Sequence, residues 1–208
     1  ARVLCSGQSY DFINYSIEDG LGQSQVTDIV QDHMGVIWMA SNGGGLTCYD
    51  GQTFTVFTTD NGLADNVVNK IFEDDNNQLW ICTAKGISRW LGPSHKGGSN
   101  HFVNFTEDDG LADNQVWTGM QDQAGRLMFG TNDGLSILLT SEDQVPGTRF
   151  KNSKLGLSHN IVRSLLQDSE GVFWYGTENG LTRHDPSATG EVYSYYSTKD
   201  GLADAFIW

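Results

Sequence analysis

Residues 156–181 read GLSHNIVRSLLQDSEGVFWYGTENGL, and this pattern recurs in register along the whole chain. Further copies open at Gly20, Gly62 and Gly110, and a fifth opens at Gly201, close to the last residue, Trp208. The openings are 42, 48, 46 and 45 residues apart, yet the distance from the opening glycine to Trp38, Trp80, Met128 or Trp174 is 18 in every copy. A constant interior with variable overall spacing means a rigid unit joined by loops. A period of about 45 residues marks a solenoid or a propeller.

Each unit reads as short strands. VTDIV (26–30), VNKIF (68–72), VWTGM (116–120) and VRSLL (162–166) are short and rich in branched or large apolar residues. A tight turn follows, opened by Asp32, Asp74, Asp122 and Asp168, with Gly35, Asn77, Gly125 and Gly171 three residues later. Asp at the first turn position accepts a backbone N–H, and Gly or Asn at the fourth tolerates the left-handed conformation. These aspartates are expected to form turns, not to act as catalytic acids. A second strand carries Trp38, Trp80, Met128 or Trp174, and a glycine at Gly45, Gly86, Gly134 or Gly180 marks a second reversal. A third strand follows, then a fourth with spaced aromatics such as Phe54 and Phe57, Phe102 and Phe105, or Tyr193 and Tyr196. Four strands per period suit a propeller blade. Recurrence at one place in the second strand predicts that Trp38, Trp80 and Trp174 are core residues shared between blades.

The motif of Gly-Leu, Ala or Ser, then Asn before the first strand, followed by Asp-x-x-Gly, Trp, Thr and a second Gly-Leu, resembles the two-component regulator propeller repeat. The likeness rests on four full copies and covers nearly the whole chain. Met128 departs from it where the other copies have Trp, the first copy carries an extra glycine among Gly43, Gly44 and Gly45, and Ser41 stands in place of Thr83, Thr131 and Thr177. The resemblance implies the periplasmic or extracellular sensor part of a bacterial inner-membrane protein. Such proteins are hybrid two-component histidine kinases and, in some cases, membrane-bound diguanylate cyclases.

The fold expected is therefore all-β: a β-propeller of four-stranded blades, treated as one domain over residues 1–208. Blade repeats start at Gly20, Gly62, Gly110 and Gly156, between a partial blade at 1–19 and a partial repeat at 201–208. Leu4 aligns with Leu46, Phe12 with Phe54 and Tyr15 with Phe57, so the first residues are expected to form a third and a fourth strand. Ile207 aligns with Val26, Val68, Val116 and Val162 as the start of a first strand. The chain is expected to be a segment of a larger ring of about seven blades. The alternative is a small ring in which the two ends share a fifth blade.

Twenty-five glycines in 208 residues exceed the usual level of about 7% and fit many turns. With 26 acidic and 12 basic residues the formal charge is -14, which excludes nucleic acid and anionic membrane surfaces as partners, since both demand clustered Lys and Arg. Apolar runs are short, so direct membrane insertion by this segment is not expected. Cys5, Cys48 and Cys82 have no metal or redox spacing, and Cys48 and Cys82, in different strands, read as small buried thiols. The histidines, His33, His95, His101, His159 and His184, likewise lack a ligand pattern. Paired acids such as Asp74 and Asp75 or Asp108 and Asp109 fall where turns ask for Asp. No nucleophile elbow or phosphate-binding glycine loop is present. Neither an enzyme nor a metal or cofactor is expected.

Positions that vary inside a fixed repeat are free to serve a ligand. The position after the valine that opens each first strand reads Thr27, Asn69, Trp117, Arg163 and Trp208. First strands line a propeller's channel, so Asn69 and Arg163 are expected to supply donors there and Trp117 a stacking face, a mixture suited to sugar rings. Lys85, Asn132, His159 and Glu178, on loops of the same face, complete the candidate ligand-binding set. The expected function is ligand sensing, with a saccharide or another small ligand and the rest of the same sensor protein as partners. The alternative is an interaction or homodimerisation scaffold without a small ligand.

Overall fold

The structure, a computed structural model, describes residues 13–92, 101–139, 149–187 and 192–208. Among them the strands form four antiparallel sheets of four, each strand paired with its sequence neighbour. Blade 1 is β1 (Val26–Gln31), β2 (Ile37–Ser41), β3 (Leu46–Tyr49) and β4 (Phe54–Phe57). Blade 2 is β5 (Val68–Glu73), β6 (Leu79–Thr83), β7 (Gly86–Trp90) and β8 (Phe102–Phe105). Blade 3 is β9 (Val116–Gln121), β10 (Leu127–Thr131), β11 (Gly134–Leu138) and β12 (Phe150–Ser153). Blade 4 is β13 (Val162–Gln167), β14 (Phe173–Thr177), β15 (Gly180–Asp185) and β16 (Val192–Tyr196). The innermost strands lie side by side in the order β1, β5, β9, β13, as in a propeller. The helical elements among the described residues are single 3-10 turns.

Local chemistry explains the repeat. In the first hairpin Asp32 Oδ1 accepts the N–H groups of Met34 and Val36, both at 2.9 Å, and Oδ2 accepts the Trp38 indole N–H at 2.8 Å. Asp74 does the same for Trp80 at 2.9 Å and Asp168 for Trp174 at 2.8 Å. The Asp therefore both closes the turn and orients the indole six residues on. In the third copy, where Met128 has no N–H, Arg126 Nε donates to Asp122 Oδ2 at 2.6 Å and takes the indole's place. At the second reversal a hydroxyl from Thr83, Thr131 or Thr177 donates to the carbonyl of Gly86, Gly134 or Gly180. Ser41 makes the same bond to Gly45, which accounts for its tolerance there.

Blades pack through apolar faces. Trp38, Leu46 and Phe57 of blade 1 meet Ile71, Ile81 and Phe102 of blade 2. Trp80, Cys82 and Phe105 of blade 2 meet Val116, Phe129 and Phe150 of blade 3. Met128 and Leu135 of blade 3 meet Val162, Phe173 and Tyr175 of blade 4. Trp38 and Trp80 are 4% and 3% exposed, as expected of shared core residues. Trp174 differs: it is half-buried, with its ring stacked 6.2 Å from Tyr196. Cys82 is fully buried and burial pushes its thiol pKa well up, whereas Cys48 is only half-buried. Leu4, Cys5 and Phe12 lie outside the described residues, as do His95 and most of the 91–100 loop. Tyr15 is described, and its ring packs 5.2 Å from Phe54 and 5.6 Å from Tyr49. At the other end, Gly180 N–H donates to the Ala205 carbonyl at 2.7 Å, as Gly134 does to Asn160 at 2.8 Å. Residues 201–208 thus dock on blade 4 as the start of blade 4 docks on blade 3.

Candidate functional site

Every first strand begins with a β-bulge, and the bulge falls on the variable position. Pairing passes from Val26 to Asp28, Val68 to Lys70, Val116 to Thr118 and Val162 to Ser164, leaving Thr27, Asn69, Trp117 and Arg163 outside the ladder. A bulged residue is released from the alternation of the pleat, so its side chain can be aimed independently of the core. All four, together with Trp208, line one groove of about 560 Å3, which also includes Lys70 and Thr118. The groove is within the size range of small-molecule sites.

The two smaller bulge residues tie neighbouring blades. Thr27 Oγ1 donates to the Val68 carbonyl and Asn69 Nδ2 to the Val116 carbonyl, each at 2.7 Å. The two larger ones form a layered cluster. The Arg163 guanidinium lies 3.4 Å from the Trp117 ring centroid and 4.8 Å from that of Trp208. Trp117 Nε1 donates to Asn132 Oδ1 at 2.8 Å, while Arg163 pairs through Nε and Nη2 with Glu178 Oε1. Asn132 and Glu178 thus sit behind the groove and hold its two largest side chains in place. Arg163 is only 11% exposed on its side chain, and its buried Nη1 has no hydrogen-bond partner among the described residues. Arg163 thus commits Nε and Nη2 to Glu178 and braces two indoles at the edge of the groove that it lines. Charge in the groove is internally matched, since Lys70 Nζ lies 3.2 Å from Asp28 and Arg163 is neutralised by Glu178.

Lys85 and His159 are not among the groove-lining residues. Lys85 Nζ pairs with Asp65 at 2.8 Å; burial of Asp65 opposes ionisation, but the Lys85 ammonium and the Val67 N–H hold its carboxyl below the usual range, and the same pair raises the Lys85 pKa. His159 is exposed, and its Nδ1 accepts the Ile161 N–H at 3.2 Å in a local turn. Sequence reasoning missed the bulge and the supporting role of the second pair, although the variable column itself was the signal. Among the described residues no group of three or more His, Cys, Asp or Glu could hold a metal ion.

Residues 62–85 and 156–179 match the family described as two component regulator propeller. No curated protein matches the chain. Among solved structures, the extracellular domain assigned to the hybrid two component system BT3049 of B. thetaiotaomicron is 24% identical with a TM-score of 0.65, covering 91% of this chain and 25% of that one. PorZ, a surface component of the type-IX secretion system of Porphyromonas gingivalis, is 13% identical with a TM-score of 0.65 over 93% of this chain and 31% of its own. Virginiamycin B lyase from Staphylococcus aureus is 13% identical with a TM-score of 0.59, over 83% of this chain and 55% of its own. The chain spans about a quarter of the first of these and under two thirds of the others, and at such identities the likeness is one of fold. Two of its copies match the two-component regulator propeller repeat, the others keep the same register and the same four-stranded sheets, and the chain is thus a run of β-propeller blades similar to that family.

Proposed function

We infer that this chain belongs to an extracytoplasmic ligand-sensing propeller of a two-component signal transduction protein, and that the bulge-lined groove takes a saccharide. The observation that carries the inference is the convergence of the variable column on one groove, while the surrounding positions hold the blades together. Indole surface at Trp117 and Trp208 beside internally matched charges suits a neutral ring with hydroxyls, because stacking needs no net charge and the hydroxyls find polar edges at Asn69 and Lys70. The repeat family and the likeness to the BT3049 extracellular domain support the sensor role and the extracytoplasmic location. Among the described residues no helix is long and apolar enough to cross a membrane, so the event would pass to a signalling module carried elsewhere in the same protein.

A thermal-shift screen of neutral oligosaccharides tests this, because a ligand that binds only the native state raises its melting temperature by mass action. A hit should be lost in Trp117→Ala and kept in Lys85→Ala. A hit indifferent to Trp117→Ala would place the site elsewhere. The second reading, a scaffold or homodimer without a small ligand, is favoured by one observation: Leu166, Tyr195 and Trp208 are 59%, 54% and 77% exposed on and beside blade 4. Concentration-dependent sedimentation with no oligosaccharide hit would favour it.

A further inference from the structure

The three blade interfaces are built from equivalent positions but are not filled equally. Pairing with the third strand makes Phe57, Phe105 and Ser153 equivalent, through Leu46, Ile87 and Leu135 respectively. Trp38, Trp80 and Met128 are equivalent by their constant place in the repeat. Blade 1 therefore presents Trp38 and Phe57 to blade 2, with rings 5.2 Å and 4.8 Å from Trp90. Blade 2 presents Trp80 and Phe105 to blade 3, with rings 5.9 Å from Phe129 and 6.0 Å from Phe150. Blade 3 presents Met128 and Ser153. Both rings are missing at once, and a cleft of about 290 Å3 lies there between blades 3 and 4.

The blade 4 wall of this cleft keeps its aromatic character. Phe173, Tyr175, His184 and Tyr193 form it as one connected cluster, with His184 and Tyr193 stacked at 4.5 Å and Phe173 and Tyr175 at 6.1 Å. Met128 and Leu135 supply an apolar floor. Two cations reach the cleft. Arg126 is committed to Asp122, whereas Lys151 is exposed and takes part in no ion pair among the described residues. An aromatic ligand would restore the ring-on-ring packing of the other two interfaces, and an anionic group on it would meet the free ammonium. A cleft at the low end of ligand-site volumes suits a single ring better than a chain of sugars. We propose that the cleft between blades 3 and 4 binds a small aromatic carboxylate, with the ring against Tyr175, His184 and Met128 and the carboxylate on Lys151.

The probe is 4-hydroxybenzoate, titrated calorimetrically into the whole chain, with uncharged 4-methylphenol as a second probe. Saturable binding is expected. Met128→Trp combined with Ser153→Phe rebuilds the missing pair and should weaken 4-hydroxybenzoate at least tenfold while raising the melting temperature. Lys151→Ala, on the surface and neutral for folding, should weaken 4-hydroxybenzoate about tenfold and leave 4-methylphenol unchanged, the size of one charge-assisted bond. Trp117→Ala, in the channel, should change neither. No saturable binding at millimolar probe, retention of wild-type affinity in the filled variant, indifference to Lys151→Ala, or loss of binding in Trp117→Ala would each overturn the assignment.

Discussion

Asp168 and Trp174 show how one residue pair can set both a turn and the orientation of a ring. The Trp174 indole N–H holds the Asp168 carboxyl below the usual carboxylate range; burial opposes this, and the Val172 and Glu170 N–H groups and Arg183 add to it. A folded pKa below the unfolded value means stability that is complete above about pH 4 and is lost as pH falls through the depressed value. Trp174→Phe should therefore flatten part of the acid side of a urea-midpoint profile measured between about pH 5 and pH 2. An unchanged profile would mean that the hydrogen bond does not form in solution. Burial ranks the tryptophans differently from their alignment. Trp80→Ala, at 3% exposure, should cost about 3–5 kcal/mol by equilibrium unfolding. Trp174→Ala, half-buried, should cost about 1–2 kcal/mol. Equal losses at the two sites would show that blade 4 is covered in solution.

The second reversal of each blade illustrates what an element demands of its glycine. Gly86 has φ 115°, and a Cβ there would stand 2.4 Å from the Phe105 carbonyl oxygen, while its own N–H bonds Asn114 of the loop leading into blade 3. Gly86→Ala therefore meets strain and a backbone clash together, and should lower stability by about 2 kcal/mol or more in chemical denaturation. Gly51, with φ 95° and open space around its Cβ position, provides the comparison: Ala there meets the strain alone and should cost less. The first strands follow a different rule. Their bulges leave one residue per blade unpaired, so these positions can change from Thr to Trp to Arg without disturbing the ladder.

In the whole molecule, stability is expected to follow the order of the interfaces. Blade 2 is covered on both faces by aromatic packing, whereas blade 4 joins through Met128 and Leu135 on one side and carries exposed Leu166 and Tyr195 on the other. In a repeat array each unit is held by its neighbours, so β16 and β15 should exchange their amides fastest and β5 and β6 slowest in native-state hydrogen exchange. Uniform protection would mean that the blades open as a single cooperative unit. Arg163→Ala belongs to this scale as well. By removing the strut between two indoles and stranding Glu178, it should lower the melting temperature measurably, instead of leaving it untouched as a free channel-lining side chain would.

The repeat register alone established the strands, the turns and the faces, because blade chemistry is local: Asp closes a hairpin and orients the Trp six residues on, and Gly takes the left-handed corner wherever it recurs. It also marked Asn69, Trp117 and Arg163 as free to vary. Their gathering into one groove needed tertiary structure, since they come from strands more than forty residues apart and point together only because a bulge re-aims each of them. The pairing of Arg163 with Glu178 and the half-burial of Trp174 were likewise invisible in the sequence. The first needs the hairpin that brings positions fifteen apart together, and the second depends on what stands across a blade face, of which a residue's own repeat carries no record.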